Sequence, residues 1–200
     1  MERTEKMRYL VIFAHPRPDS FAAALRHVAI EALAAAGHQV DLLDLYASGF
    51  DPVLSAEAHA GYFTPERNRA GIEEHVARLE RAQAVVLIYP TWWFGYPAIL
   101  KGYFDRVWVP GVAFDLGRVA PRGRLHNITK LIVITSYGSP RWYIRWFLRD
   151  PMRKIVKHGV GALCSSACQT LFLALYSMDR TSAAKRQRFM ETVRRRLAAF

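Results

Sequence analysis

This 200-residue chain lacks the glycine signatures that most nucleotide-binding α/β proteins carry. No G-x-G-x-x-G follows an apolar run and no G-x-x-x-x-G-K-S/T occurs, which argues against an ordinary Rossmann dehydrogenase and against a P-loop nucleotidase. Cysteine is almost absent: Cys164 and Cys168 are too few for a secreted disulfide framework, and no second pair exists to complete a metal knuckle. They read as reduced core thiols in a cytoplasmic protein. His27, His38, His59, His75, His126 and His158 are scattered without a metal-ligand pattern, so no metal is assigned. No export signal is read at the N-terminus, because the apolar run Tyr9 to Ala14 is shorter than the roughly 7–15 residues of a signal core. Gly159 to Met178 carries no charge, yet Ser165, Ser166, Gln169 and Thr170 interrupt it. A buried strand with flanking turns fits that stretch better than a membrane helix.

Apolar residues make up 52% of the chain and charged residues 22%, a balance that fills a core and keeps the chain soluble. The length suits one domain spanning residues 1–200. Arg8 to Phe13 is a short run of strand formers, followed by His15-Pro-Arg-Pro-Asp19-Ser20 and then a helical pattern of Leu25, Val28, Ala29, Ala32, Leu33 and Ala36. Asp19 or Ser20 caps that helix and Gly37 stops it. Val40 to Leu45, Ala84 to Tyr89, Lys130 to Thr135 and a strand within Ala162 to Leu173 complete a set of five. Ile72, Val76, Leu79 and Ala82 mark another helix. Pro97 opens a further one through about Val107, Arg141 to Lys157 reads as helical, and Phe189, Val193 and Leu197 set the face of the last. Strands alternating with helices imply a doubly wound five-stranded parallel sheet with helices on both faces. Ligands then bind beyond the C-terminal strand ends, so the loops after strands one, three and four are the places to search.

The first of these loops leads His15, Ser20 and Phe21 into a helix N-terminus, whose free N–H groups and dipole attract an anion such as phosphate. Capping alone explains the same residues equally well. The loop after strand three is more informative. Pro90-Thr91-Trp92-Trp93-Phe94-Gly95-Tyr96-Pro97 sets large aromatics between a buried strand and a helix, an awkward place to hide two tryptophans in a core and a good one for a wall against a planar ligand. Lys101 and Asp105 stand four apart and suit a surface ion pair.

The stretch W-F-G-Y-P-A-I-L-K-G-Y-F-D-R, with the opening strand followed by A-H-P and then S-F, resembles the flavodoxin-like NAD(P)H:quinone reductases of the DT-diaphorase type. The similarity of layout extends over nearly the whole chain. It implies an oxidoreductase that binds FAD, or FMN as in some members, and works as a homodimer. Hydride would pass from NADH or NADPH to a quinone-like acceptor in a ping-pong cycle. By the same resemblance His15, Ser20 and Phe21 contact the flavin phosphates and neighbouring groups, and Pro90, Thr91, Trp92, Trp93 and Phe94 cradle the isoalloxazine. Thr135, Ser136, Tyr137 and Gly138 approach its pyrimidine edge, with Tyr137 standing where the family usually has a glycine. Tyr143 matches a tyrosine of the catalytic pocket, and Phe114 takes a substrate-pocket position that is often tyrosine. Arg149 falls where some relatives carry a histidine, so no tyrosine–histidine relay is expected.

Charge is distributed unevenly. Residues 141–200 hold 13 Lys and Arg against 3 Asp and Glu, whereas residues 1–140 hold 15 against 14. Solvated helix faces account for most of this excess. The alternative to an enzyme is a regulatory or ancillary subunit whose basic C-terminal face docks on a partner such as an ion-efflux system, or touches a membrane or membrane protein peripherally. A nucleic-acid partner is not expected, since charge alone would support it and no recognition motif does.

Overall fold

The computed structural model describes residues 6–200. Its first strand, β1 (Arg8–Phe13), leads into α1 (Phe21–Ala35), then β2 (Gln39–Asp44), a short α2 (Ala56–Ala60) and α3 (Glu73–Arg81). Next come β3 (Ala84–Pro90), α4 (Ala98–Val107), the two-residue strands β4 (Phe114–Asp115) and β5 (Arg122–Gly123), and β6 (Lys130–Ser136). An irregular helical stretch follows, with α5 (Pro151–Lys154) inside it, before β7 (Gln169–Leu175) and α6 (Ala183–Ala198).

Five strands form one parallel sheet in the order β2-β1-β3-β6-β7. The three central strands consist almost wholly of buried residues because helices cover both faces, which is why they read as unbroken apolar runs. The register aligns Val11 with Leu42 and Val86, Val86 with Ile132, and Ile132 with Leu171, so the strands end together in one row. Tyr9, Val11, Phe13, Ile88 and Ile134 pack under α1 and α6; Leu10, Ile12, Leu87 and Val133 pack under α3, α4 and the segment before β7.

Local chemistry sets the element ends. Ser20 caps α1, its Oγ accepting from the Ala23 N–H at 3.1 Å, and Gly37 ends the helix at φ +84°, a conformation that L side chains adopt only with strain. Pro97 lies at the N-cap of α4 rather than inside it. Gly102 lets α4 lie directly on the long loop after β2, since a Cβ there would collide with the Pro52 carbonyl oxygen. The stretch Gly159–Met178 contains β7 and its turns; among the described residues no helix is long and apolar enough to cross a membrane.

One element differs from expectation. Arg141–Lys157 is not a single helix: a π-helical turn over Tyr143–Phe147 stops, Arg149 and Asp150 turn left-handed at φ 59° and 52°, and the chain restarts at Pro151. Proline bars the preceding residue from helical geometry and has no N–H to continue the ladder, so it breaks a pattern that apolar spacing would extend.

Candidate active site

The C-terminal row of strand ends gathers four loops. The chain leaving each strand is pinned to its neighbour: Ala14 N–H donates to Ile88 O (3.0 Å), Thr91 N–H to Ser136 O (2.8 Å) and Tyr137 N–H to Leu175 O (2.8 Å). Two side chains reinforce this, with Thr91 Oγ1 and the fully buried Thr135 Oγ1 sharing a hydrogen bond of 2.9 Å. Thr135 therefore serves as a clamp beneath the loops and not as a lining residue. The loop after β7 is stitched to the one after β6 by Ser177 N–H to Ser139 O (3.0 Å) and Met178 N–H to Tyr137 O (2.9 Å).

Two adjoining clefts of about 330 Å³ each open above this row. One is lined by His15, Phe21, Pro90, Thr91, Trp92 and Ser136, the other by Thr91, Trp93, Phe94, Tyr137 and Ser139, and Gly138 and Asp179 belong to both. The wall between them is the turn Trp92–Gly95, closed by the Gly95 N–H donating to Trp92 O at 2.9 Å. Its central residues Trp93 and Phe94 both have positive φ, 49° and 59°, the signature of a type I′ turn. Glycine and asparagine usually occupy such positions. Two large aromatics there store strain of about 1–2 kcal/mol each and present themselves to solvent, Trp93 being 96% exposed.

His15 faces Trp92, ring centroids 6.0 Å apart. Its Nδ1 accepts the Arg17 N–H at 3.0 Å, which leaves the proton of the neutral ring on Nε2. Burial lowers its pKa below the usual histidine value, so the ring is neutral at pH 7. Arg17 and Asp19 pair with each other at the loop's outer edge. Ser20 lies at the start of α1 as the cap rather than on the cleft surface. Tyr137, standing in place of a glycine, is buried at the rim of the site, its residue 2% exposed and its ring stacked on Tyr176 at 5.2 Å and 8°.

Tyr143 lies just outside, packed between Phe94 (6.0 Å) and Phe147 (5.0 Å). Phe114 is not brought to these clefts; it pairs with Gly123 in the small β4–β5 ladder. Asp179 and Met178 line the site without having been expected. Their position just past the fifth strand was the available signal, because every strand end of such a sheet borders the ligand crevice.

A flavin fits the groups present. Among the described residues, the backbone N–H groups of Trp93, Phe94, Gly138 and Ser139 donate to no other backbone carbonyl, and they rim a slot bounded by aromatic faces. The N-terminus of α1 beside His15 offers free donors for phosphate, and Asp179 offers an acceptor for a ring N–H.

The profile of the flavodoxin-like fold family matches residues 7–198. NAD(P)H dehydrogenase (quinone) 1 of Rattus norvegicus is 31% identical over 209 residues, covering 95% of this chain and 76% of its own. The ribosyldihydronicotinamide dehydrogenase (quinone) of Pongo abelii is 30% identical over 176 residues, covering 78% of this chain and 76% of its own. Among solved structures, the NAD(P)H:quinone oxidoreductase of Methanothermobacter marburgensis superposes with a TM-score of 0.81 at 30% identity, over 97% of this chain and 96% of that one. Fold and site thus define a flavodoxin-like protein with its ligand crevice at the strand ends. This chain belongs to the flavodoxin-like NAD(P)H:quinone oxidoreductase family, and it is an oxidoreductase.

Proposed function

We propose that the chain holds FAD, or failing that FMN, in the paired clefts and passes two electrons from NADH or NADPH to a quinone-like acceptor by a ping-pong cycle. The observation that carries this reading is the strained turn Trp92–Gly95, which faces the loop Tyr137–Ser139 with unpaired N–H donors on both sides. A bound flavin would supply the hydride chemistry; the protein's own part is orientation and charge stabilisation. Trp93 and Phe94 would line the slot that takes the planar ring, and their N–H groups would stabilise negative charge at its edge. His15 and the N-terminus of α1 hold the phosphates. Tyr143, packed on Phe94 just outside the slot, would donate its hydroxyl to an acceptor oxygen.

The reading includes a homodimer. Phe114 lies away from its own chain's clefts, so a pocket role for it requires presentation to the clefts of a second copy. The two free cysteines suit a cytoplasmic setting. Relatives named as dehydrogenases favour turnover over a purely docking role for the basic C-terminal face.

The test is to denature the purified protein, separate the released cofactor chromatographically, and measure initial rates with each nicotinamide against a soluble quinone. FAD or FMN in near-equimolar yield with parallel double-reciprocal lines is expected. Protein that carries and takes up neither flavin overturns the reading; intersecting lines overturn the ping-pong part of it.

A further inference from the structure

At the opposite end of the sheet, where β7 begins, a concavity of about 540 Å³ contains both cysteines. Its lining includes Arg153, Lys157, Cys164, Ser166, Cys168 and Thr170. Cys168 stands just before β7 and the clefts lie beyond its last residue, so the seven-residue strand, roughly 20 Å long at strand rise, separates the two. Cys164 is buried, as expected of a core thiol; Cys168 is half-buried and open to the concavity, which a core thiol would not be.

The backbone holds the two close. Ser165 N–H donates to Ile128 O (3.1 Å) and Gln169 N–H to Thr129 O (2.9 Å), anchoring both sides of the bend. Between them, Cys168 N–H donates to Ser165 O at 2.8 Å and closes a turn that folds the chain back on itself. The Cys164 thiol donates inward to Val160 O at 3.6 Å. Arg153 lies across the Phe172 ring at 4.6 Å and pairs with Asp150 at 3.0 Å, so its charge is partly offset, and Lys157 adds a second cation at the border of the space. No carboxylate is among the residues lining it.

The thiolate is the reactive form of cysteine, and cations with a neighbouring thiol donor favour it. The two sulfurs here differ in direction. The neighbouring Cys168 and burial hold Cys164 protonated, while the proximity of the Cys164 thiol lowers Cys168 below the usual thiol value.

We propose that Cys168 and Cys164 form a peroxide-reactive dithiol site, with Cys168 oxidised first and Cys164 resolving it to an intramolecular disulfide. In the first step the Cys168 thiolate attacks one oxygen of a hydroperoxide. An S–O bond forms, the O–O bond breaks, and the departing alkoxide or hydroxide takes a proton and leaves as alcohol or water. In the second, the Cys164 sulfur attacks the Cys168 sulfenic acid. An S–S bond forms, the S–O bond breaks, and hydroxide leaves as water with the Cys164 proton. Two thiols are oxidised by two electrons and one hydroperoxide is reduced. Arg153 and Lys157 border the space where the departing oxygen carries charge.

Hydrogen peroxide added to the purified protein tests this by thiol titration and intact mass. Wild type is expected to lose both titratable thiols and the mass of two hydrogens, within one chain, at a rate that rises with pH and levels off below the usual thiol range. Cys164→Ser should accumulate a sulfenic acid at Cys168 that a dimedone-type probe captures, and Cys168→Ser should react at least about tenfold more slowly. Retention of both thiols, disulfides only between chains, or faster labelling of Cys164 than of Cys168 overturns the proposal. Flavin content and uptake are scored on the same samples: protein that carries and takes up neither FAD nor FMN yet still forms the disulfide refutes the flavin reading and leaves this one standing.

Discussion

Two segments of this molecule follow neighbouring strands and have similar composition, yet they are built differently. The segment after β3 carries Trp92, Trp93 and Phe94; the one after β6 carries Trp142, Trp146 and Phe147. Both expose aromatics, and both hold two successive non-glycine residues at positive φ: Trp93 with Phe94, and Arg149 with Asp150. In the first, the left-handed pair lies inside a hydrogen-bonded turn that forms the wall of a cleft. In the second it is a break between a π-helical turn and a helix that starts with proline, and Arg149 and Asp150 line neither cleft. Strained backbone by itself does not mark a site. What distinguishes the first segment is strain together with unpaired donors at the end of a central strand.

The first segment rests on α4, and the largest effect is expected there. Gly102 brings α4 against Pro52, with no room for a Cβ. Gly102→Ala is expected to cost about 3 kcal/mol, at the upper end of overpacking, and to lower Tm by about 6–12 °C in a thermal melt. A melt unchanged by this substitution would show that α4 does not depend on that contact.

Glycine substitutions at the strained pairs sharpen the contrast. Phe94→Gly and Arg149→Gly each remove an unfavourable left-handed residue and should leave stability equal or raised by less than about 1 kcal/mol, strain relief being offset by glycine's entropy. Only Phe94→Gly should weaken flavin binding, by about tenfold or more in a fluorescence titration, equivalent to about 1.4 kcal/mol. Equal losses in both variants would erase the distinction between the segments.

A smaller effect is expected at the other wall of the site. Ser20→Ala removes the cap on α1 and should cost about 1 kcal/mol in denaturant unfolding, with Ser20→Asn recovering most of it.

Smallest of all is the pH response of His15. Its pKa in the folded, ligand-free protein is lowered by burial, below the unfolded value near 6.5. Its contribution is thus complete above pH 6.5 and lost as pH falls through the depressed value, when Nδ1 gains a proton and stops accepting from Arg17. Unfolding of ligand-free protein should show a slight tilt below pH 6.5 that His15→Gln removes.

Much of this fold was legible in the sequence because burial on both faces writes itself as continuous apolar runs, visible in β1, β3 and β6. The site was legible where residues are locally punctuated, as at Pro90, Gly95 and Pro97. What stayed hidden depended on contacts between distant parts of the chain. Thr135 reads like a lining residue until Thr91 is found above it. Tyr137 reads like an obstruction until its ring is found buried and stacked on Tyr176. Asp179 has no motif around it and joins the site through bonds from Ser177 and Met178 to the β6 loop. The break at Arg149 and Asp150 was signalled only by Pro151, against an apolar spacing that continued past it.

The central claim, that the paired clefts hold a redox-active flavin, is tested most directly by anaerobic spectrophotometric titration of the purified protein. The account predicts flavin absorbance that one equivalent of NADH or NADPH bleaches and one equivalent of a quinone restores. Protein that shows no flavin absorbance after incubation with FAD and FMN, or a bound flavin that neither nicotinamide reduces, would contradict it.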